Sequence, residues 1–303
     1  ASKVCLFLLL FFYGAKLAPR ETLLGLKNWR LHAVIFCFTF ILFPIIGVGL
    51  KYATIGWLGQ GLALGLLYLT LVPGTVQSSI AFTSVAHGNV AGAIVASSLS
   101  NILGVFLTPL LVMLTMATTG DVHITGRSIL DIFLQILLPF IIGQLLHKYL
   151  GPGLNRHPIL TKTVDRGTIW INVYTAFSQA VVEGVWMRVT ALHLLALVGI
   201  CIAVVSLVLV LSWCMAKGLG FNREDCIAAQ FCWSKNSLSS GIAMGAVLFA
   251  GSTGELSAGI LMLPLMLFHL FQLLICAVLA GRYGRQWERE HTHAHANDQG
   301  AAQ

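Results

Sequence analysis

Charge is scarce in this chain: Asp, Glu, Lys and Arg make up 10% of its 303 residues, while 57% are hydrophobic. A soluble domain ordinarily carries about a quarter charged residues, so an ordinary water-facing surface is excluded. Acids are scarcest inside the apolar runs. Asp131, Glu183 and Glu255 lie near the ends of such runs and none sits deep within one. That speaks against an intramembrane enzyme, which needs metal-binding carboxylates or a histidine–carboxylate constellation. The seven cysteines form no CxxC; within apolar runs a thiol acts as a small buried apolar group, and no disulfide framework is implied. Also missing are the alternating segments of about ten residues that build an outer-membrane barrel.

What remains is a series of long apolar runs. A helix crosses a bilayer with about 20 mostly apolar residues, and the sequence offers nine such windows: 1–15, 32–52, 57–86, 89–113, 128–149, 167–187, 190–216, 224–250 and 256–280. We therefore expect an all-α polytopic membrane protein of nine spans, with one integral membrane domain over 1–290 and a disordered tail over 291–303. The tail holds His291, His293 and His295, but a polar tail without an apolar pattern does not order a metal site. Thirteen of the 18 Lys and Arg fall in one set of alternate loops and four in the other, leaving Lys235 alone within a span. The positive-inside rule places the richer set, and the C-terminus, in the cytoplasm, and the first residue outside. Topology in the cytoplasmic membrane thus accounts for the formal net charge of +7, with no nucleic-acid partner needed.

A weak internal repeat runs through the chain. Tyr13 and Tyr174, Ala15 and Ala176, Leu31 and Leu192, and His32 and His193 share one spacing of 161, and Ser78-Ser79 matches Ser239-Ser240 at the same spacing. An offset that carries the first span onto the sixth moves every element by five, an odd number, so equivalent elements run in opposite directions. This is the pattern of inverted repeats, expected over 1–118 and 128–285. The fifth span then lacks a partner, and we expect a helix ahead of Ala1 to belong to the fold.

Two equivalent spans are interrupted. The third breaks at Pro73-Gly74, where proline removes a backbone donor and glycine permits unwound geometry; Thr75, Gln77, Ser78 and Ser79 follow at once. The eighth breaks across Ser234–Ser240, "SKNSLSS", where Asn236 or Ser237 can cap a second half-helix. Unwound backbone at membrane depth survives only where protein, water or ligand satisfies it. Paired interruptions therefore point to a substrate or ion site, with half-helix N-ends suited to an anion and C-ends to a cation.

At these residues the chain resembles the bile acid:sodium symporter family, in a divergent branch that includes solute carrier family 10 member 7 and bacterial homologues. The resemblance rests on "FFYGAKL", "VPGTVQSSIAFTSVAHGNVAGAIVASSLSN", "VYTAFSQAVVEGVW", "FCWSKNSL" and "LMLPLMLFHLFQLLICAVLA", and runs along essentially the whole chain. It implies a ten-helix fold lacking its first helix here, with the third and eighth spans crossing in a core domain. It also implies symport of an organic anion with sodium by alternating access. Ser79 and Ser97 stand where the family has a sodium-binding serine and threonine. Ile80, Phe231 and Lys235 stand where it has an asparagine, a glutamate and a glutamine, so two of the best sodium ligands are replaced.

Lys235 is the sharpest feature. A mid-span lysine costs roughly 2.5–3.5 kcal/mol on insertion scales, so it must face a cavity or partner. Two roles are open. Its ammonium can replace a bound sodium, satisfied by helix-end carbonyls and by Gln77 or Ser79; alternatively it attracts an anionic substrate or exchanges a proton during the cycle. The candidate ion- and substrate-binding residues are Thr75, Gln77, Ser78, Ser79, Ser97, Ser234, Lys235, Asn236 and Ser237, with His269 a candidate proton carrier. Sodium is the coupling ion expected and no other cofactor is. A sodium-independent or proton-coupled carrier, and a channel or regulator of ion flux, are the alternative readings.

Overall fold

The computed structural model describes residues 29–117, 138–146, 149–150, 190–249 and 256–301, with isolated positions 7, 11, 15, 134, 174, 178 and 181. The described residues are helical and contain no strand, which makes this an all-α membrane protein. Helix α1 (Trp29–Cys37) passes through a π-helical turn (Phe38–Leu42) into α2 (Phe43–Leu58). The turn has a local cause. Pro44 has no N–H to give to Phe40, and the Phe43 N–H reaches back to the Phe38 carbonyl instead, an i→i−5 bond. Gly59, at φ +87, then ends the helix in a conformation that only glycine adopts without strain, and α3 starts one residue later.

The third and eighth spans are interrupted as the sequence predicts. Helix α3 (Gln60–Leu71) and α4 (Val76–Val85) flank an extended stretch, residues 72–75. Val72, held at φ −86 and ψ 140, shows the β-region bias that a following proline imposes. Helix α8 (Arg223–Trp233) and α9 (Leu238–Leu248) flank residues 234–237, a shorter break than Ser234–Ser240. The second half-helix is capped by Ser237, whose Oγ accepts the Ser240 N–H at 3.2 Å; Asn236 is left for another task.

Among the described residues, four uninterrupted helical runs are long and apolar enough to cross a membrane: Trp29–Leu58, Val90–Met116, Ala191–Gly218 and Ala258–Glu290. They comprise α1–α2, α5 (Val90–Val112), α7 (Ala191–Gly218) and α10 (Ala258–Ala301), with α6 (Leu138–Leu145) a short piece of the expected fifth span. The windows 1–15 and 167–187 lie outside the described residues apart from isolated positions. Helix α10 carries on in helical form through residues 291–301, where composition alone suggests a disordered tail. Two of these helices are opened by a side-chain cap: Asn89 accepts from Gly92 N at 2.8 Å at the start of α5, and Thr190 from His193 N at 3.3 Å at the start of α7.

Helix α3 is the centre of the packing, buried from Gly61 to Leu71 on every face, as expected of a helix that is apolar all round. Around it α2, α5 and α10 close the core, with Tyr68 meeting Phe249 edge to face at 4.9 Å. Helix α5 comes close to the first break. A Cβ built on Gly104 would stand 2.4 Å from the Pro73 Cβ, inside any real contact distance. Gly104→Val should therefore lower the thermal midpoint by the equivalent of about 1–3 kcal/mol of overpacking. Gly199→Ala, with nothing within 4 Å and a gain in helix propensity, should not lower the midpoint in the same fluorescence-detected thermal scan.

Candidate functional site

The two breaks cross each other. Gly74 and Asn236 form an isolated antiparallel bridge: Thr75 N–H donates to the Lys235 carbonyl at 3.2 Å and Ser237 N–H to the Pro73 carbonyl at 2.8 Å. Four half-helix ends meet here, the C-ends of α3 and α8 and the N-ends of α4 and α9. The chain directions are opposite at this point, as inverted elements require.

Each interruption frees backbone carbonyls that the next turn would have used. Leu69 would have bonded residue 73, but that residue is proline, and the Asn236 side-chain amide donates to the Leu69 carbonyl instead. Leu71 loses its donor because Thr75 N is spent across the bridge, and Thr108 of α5 donates to it at 2.7 Å. On the other break, Phe231 loses Lys235 N to the extended segment, and Ser79 Oγ donates to its carbonyl at 3.1 Å. Asn236 N turns to Gln272 Oε1 of α10 at 2.9 Å, while Gln272 Nε2 donates back to the Asn236 carbonyl at 2.9 Å. The unwound backbone is thus tied by side chains from α4, α5 and α10.

The bond from Asn236 N fixes the orientation of the Gln272 amide, with Oε1 accepting and Nε2 donating. Nε2 also lies 2.8 Å from His269 Nδ1, and that nitrogen is 3.2 Å from the Asn236 carbonyl. With one amide hydrogen on Asn236 and the other on the ring, Nδ1 is an acceptor and the imidazole proton sits on Nε2. His269, the candidate proton carrier, is thereby joined to the second break through Gln272.

Lys235 is fully buried. Its Nζ donates to the Ser78 carbonyl at 3.1 Å and lies 3.4 Å from the centre of the Phe82 ring, with the Phe231 ring at 5.4 Å. Among the described residues no carboxylate pairs with it. The ammonium is therefore held by one carbonyl dipole and two aromatic faces, a cation–π arrangement that is worth most where water is excluded. The expected partners, Gln77 and Ser79, do not hold it. Gln77 is exposed, and the Ser79 hydroxyl is turned to Phe231.

The other sequence-predicted residues gather at the same crossing, in two groups. Thr75 and Ser78 bond to each other through their hydroxyls, half-buried at the N-end of α4, with exposed Gln77 beside them. Buried deeper are Ser79, Ser97, Ser234, Asn236 and Ser237. Ser97 Oγ lies 3.5 Å from Cys232 Sγ, and Ser234 Oγ lies 3.7 Å from Cys276 Sγ. Ser79 and Ser97 both face the last turn of α8, at Phe231 and Cys232 respectively; their oxygens keep lone pairs with which a small cation could be held. Ser237 Oγ is the hub of the N-end of α9: Ser240 Oγ lies 2.9 Å from it and donates on to Asn101 Oδ1 of α5 at 3.3 Å.

Gln272, Phe82 and Cys276 were not legible as parts of this site. Gln272 had a signal, since a glutamine three residues after His269 in an apolar run shares its helix face. For the phenylalanine and the thiol, residue type alone gives none.

A model of the SBF-like CPA transporter family matches residues 1–285. The chain is 47% identical over 279 residues to an uncharacterized protein of Pseudomonas aeruginosa, covering 92% of this chain and 83% of the relative. It is 44% identical over 285 residues to YfeH of Escherichia coli, named as a candidate symporter, covering 93% and 83%. It is also 27% identical over 271 residues to sodium/bile acid cotransporter 7 of Xenopus tropicalis, covering 89% and 78%.

Gln272→Leu removes the partner of both polar groups of the Asn236 backbone at nearly constant volume. Leaving them unsatisfied should lower the thermal midpoint by the equivalent of about 1–3 kcal/mol per group. Ser78→Ala, which leaves the Ser78 carbonyl in place, should shift it far less.

Proposed function

The chain belongs to the SBF-like CPA transporter family, and on that basis we propose that it is a secondary carrier of an organic anion in the cytoplasmic membrane, working by alternating access, with its C-terminus in the cytoplasm. It is a multi-pass membrane transporter; the substrate class, the coupling ion and the role of each residue are our reading. We read it as a carrier with no enzymatic step.

The observation that carries this reading is the burial of Lys235 at the crossing without a carboxylate. A fixed ammonium against the Ser78 carbonyl and the Phe82 and Phe231 rings supports a built-in cation, which takes the place of one coupling sodium. A second sodium remains assignable to Ser79 and Ser97, whose hydroxyls face the frayed C-end of α8, the electronegative end of a helix. The anion belongs at the half-helix N-ends, at exposed Gln77 and half-buried Thr75 and Ser78 where α4 begins, with the N-end of α9 at buried Ser237 behind them at the same crossing. Helix N-ends present N–H groups and a positive dipole to an anionic guest. Cation and anion then bind at one crossing, and their joint occupancy favours the state that can move.

Two measurements test this. A thermal-shift screen of bile acids, sulfonates and short carboxylates, with and without sodium, should find a sodium-dependent stabilisation that is lost in Ser79→Ala. In proteoliposomes, Lys235→Gln should make uptake of the best-stabilising anion depend more steeply on sodium, with about a tenfold larger stimulation than in wild type, or 1.4 kcal/mol of coupling. Lys235→Arg should behave as wild type. A sodium titration that is the same for wild type and Lys235→Gln would overturn the built-in cation.

A further inference from the structure

A groove lies on the far flank of α8. It occupies about 580 Å³ between α7, α8 and α10. Its sides are apolar, Leu209, Val210 and Trp213 on α7 facing Leu274 and Val278 on α10. Its floor is Gln230, whose amide is already spent: Nε2 donates to the Leu209 carbonyl at 2.9 Å and Oε1 accepts from Tyr283 at 3.1 Å. A guest need offer nothing polar at that depth. The lining runs from Ser206 to Cys214 on α7 and from Leu274 to Arg282 on α10, about 12 Å of helix. That fits within one leaflet of a hydrocarbon core about 30 Å thick.

The mouth has the opposite character. Arg282 stands there, exposed, and Arg223 is anchored nearby through Nη2 to the Tyr283 carbonyl at 3.4 Å. Among the described residues neither guanidinium pairs with a carboxylate. Trp213 stacks on Tyr283 at 5.5 Å, placing two amphipathic rings where a membrane interface would be. The same end carries Lys217, Arg285 and Arg289, which assigns it to the cytoplasmic side.

We propose that this groove holds one acyl chain of an anionic glycerophospholipid from the cytoplasmic leaflet, with the lipid phosphate on Arg282 and Arg223. Chain and headgroup are matched separately, the chain by an apolar slot of one-leaflet length and the phosphate by two guanidinium groups without acidic partners. Arginine is suited to phosphate through paired N–H groups, and each basic residue near such a headgroup favours the anionic lipid roughly fivefold. The lipid would lie over Gln230, the residue that ties α8 to both α7 and α10. Occupancy therefore steadies the half-helix whose last turn reaches the crossing.

The test is a titration of the purified full chain in detergent with phosphatidylglycerol and, separately, phosphatidylcholine, read as thermal midpoint and as bound lipid by native mass spectrometry. Phosphatidylglycerol should stabilise saturably, at a concentration at least fivefold below that needed for phosphatidylcholine. Arg282→Gln should cut that preference about fivefold, and Arg289→Gln should leave it intact. Val278→Trp should abolish saturable binding while leaving every charge in place, with Val278→Phe as the milder variant should the first fail to fold. Equal titrations of the two lipids in wild type would overturn the proposal. So would phosphatidylglycerol binding that survives the filled groove, which would mark a charged surface only, or equal stabilisation by an uncharged single-chain detergent.

Discussion

A helix cannot stop inside a bilayer without leaving carbonyls and N–H groups that no water will take, and this fold stops two helices at the same place. The crossing of residues 72–75 with 234–237 is what makes that tolerable. Each extended segment gives the other one backbone bond, Thr75 to Lys235 and Ser237 to Pro73, and two bonds are not enough. The remaining groups draw Asn236, Thr108, Ser79 and Gln272 inward. The helices that surround the breaks are thus placed by hydrogen bonds as well as by packing, and Gly104 exists because α5 must come close enough for Thr108 to reach Leu71.

The charge at the centre follows from the same geometry. A lysine within an unbroken apolar helix would have to face lipid or find an acid, and no deep acid is available in this sequence. In the extended segment the side chain is directed across the crossing to α4, where the Ser78 carbonyl and the Phe82 ring receive it. Aromatic faces attract an ammonium without adding a formal negative charge, so among the described residues no fixed negative charge offsets the lysine's own. A carboxylate there would have cancelled it.

Much of this was legible in the sequence because its strongest signals are local. Pro73-Gly74 announces an interruption by its own chemistry, and "SKNSLSS" does so by polarity within an apolar run. The repeat spacing then identifies the two as equivalents. Partners distant in the chain were much less legible. Lys235 meets residues 78 and 82, and Asn236 meets residues 69 and 272, separations across which periodicity says nothing. Gln77 shows the converse failure. Its position beside a break suggested a partner for Lys235, whereas the turn of α4 points it outward and leaves the Ser78 backbone to do that work.

The hydrogen bonding also limits how such a protein can move. With both breaks tied to three flanking helices, displacing one half-helix alone would break several buried bonds at once, each costly where water cannot replace it. The cheaper motion carries the crossing and its flanking helices together as one body. Binding free energy then has to be gained at the edges of that body. There the chain exposes Gln77 and half-buries Thr75, Ser78, Asn101 and Ser239, polar groups whose partners can change without unpicking the crossing. A rigid crossing with an adaptable rim separates what holds the fold together from what a small-molecule substrate can alter.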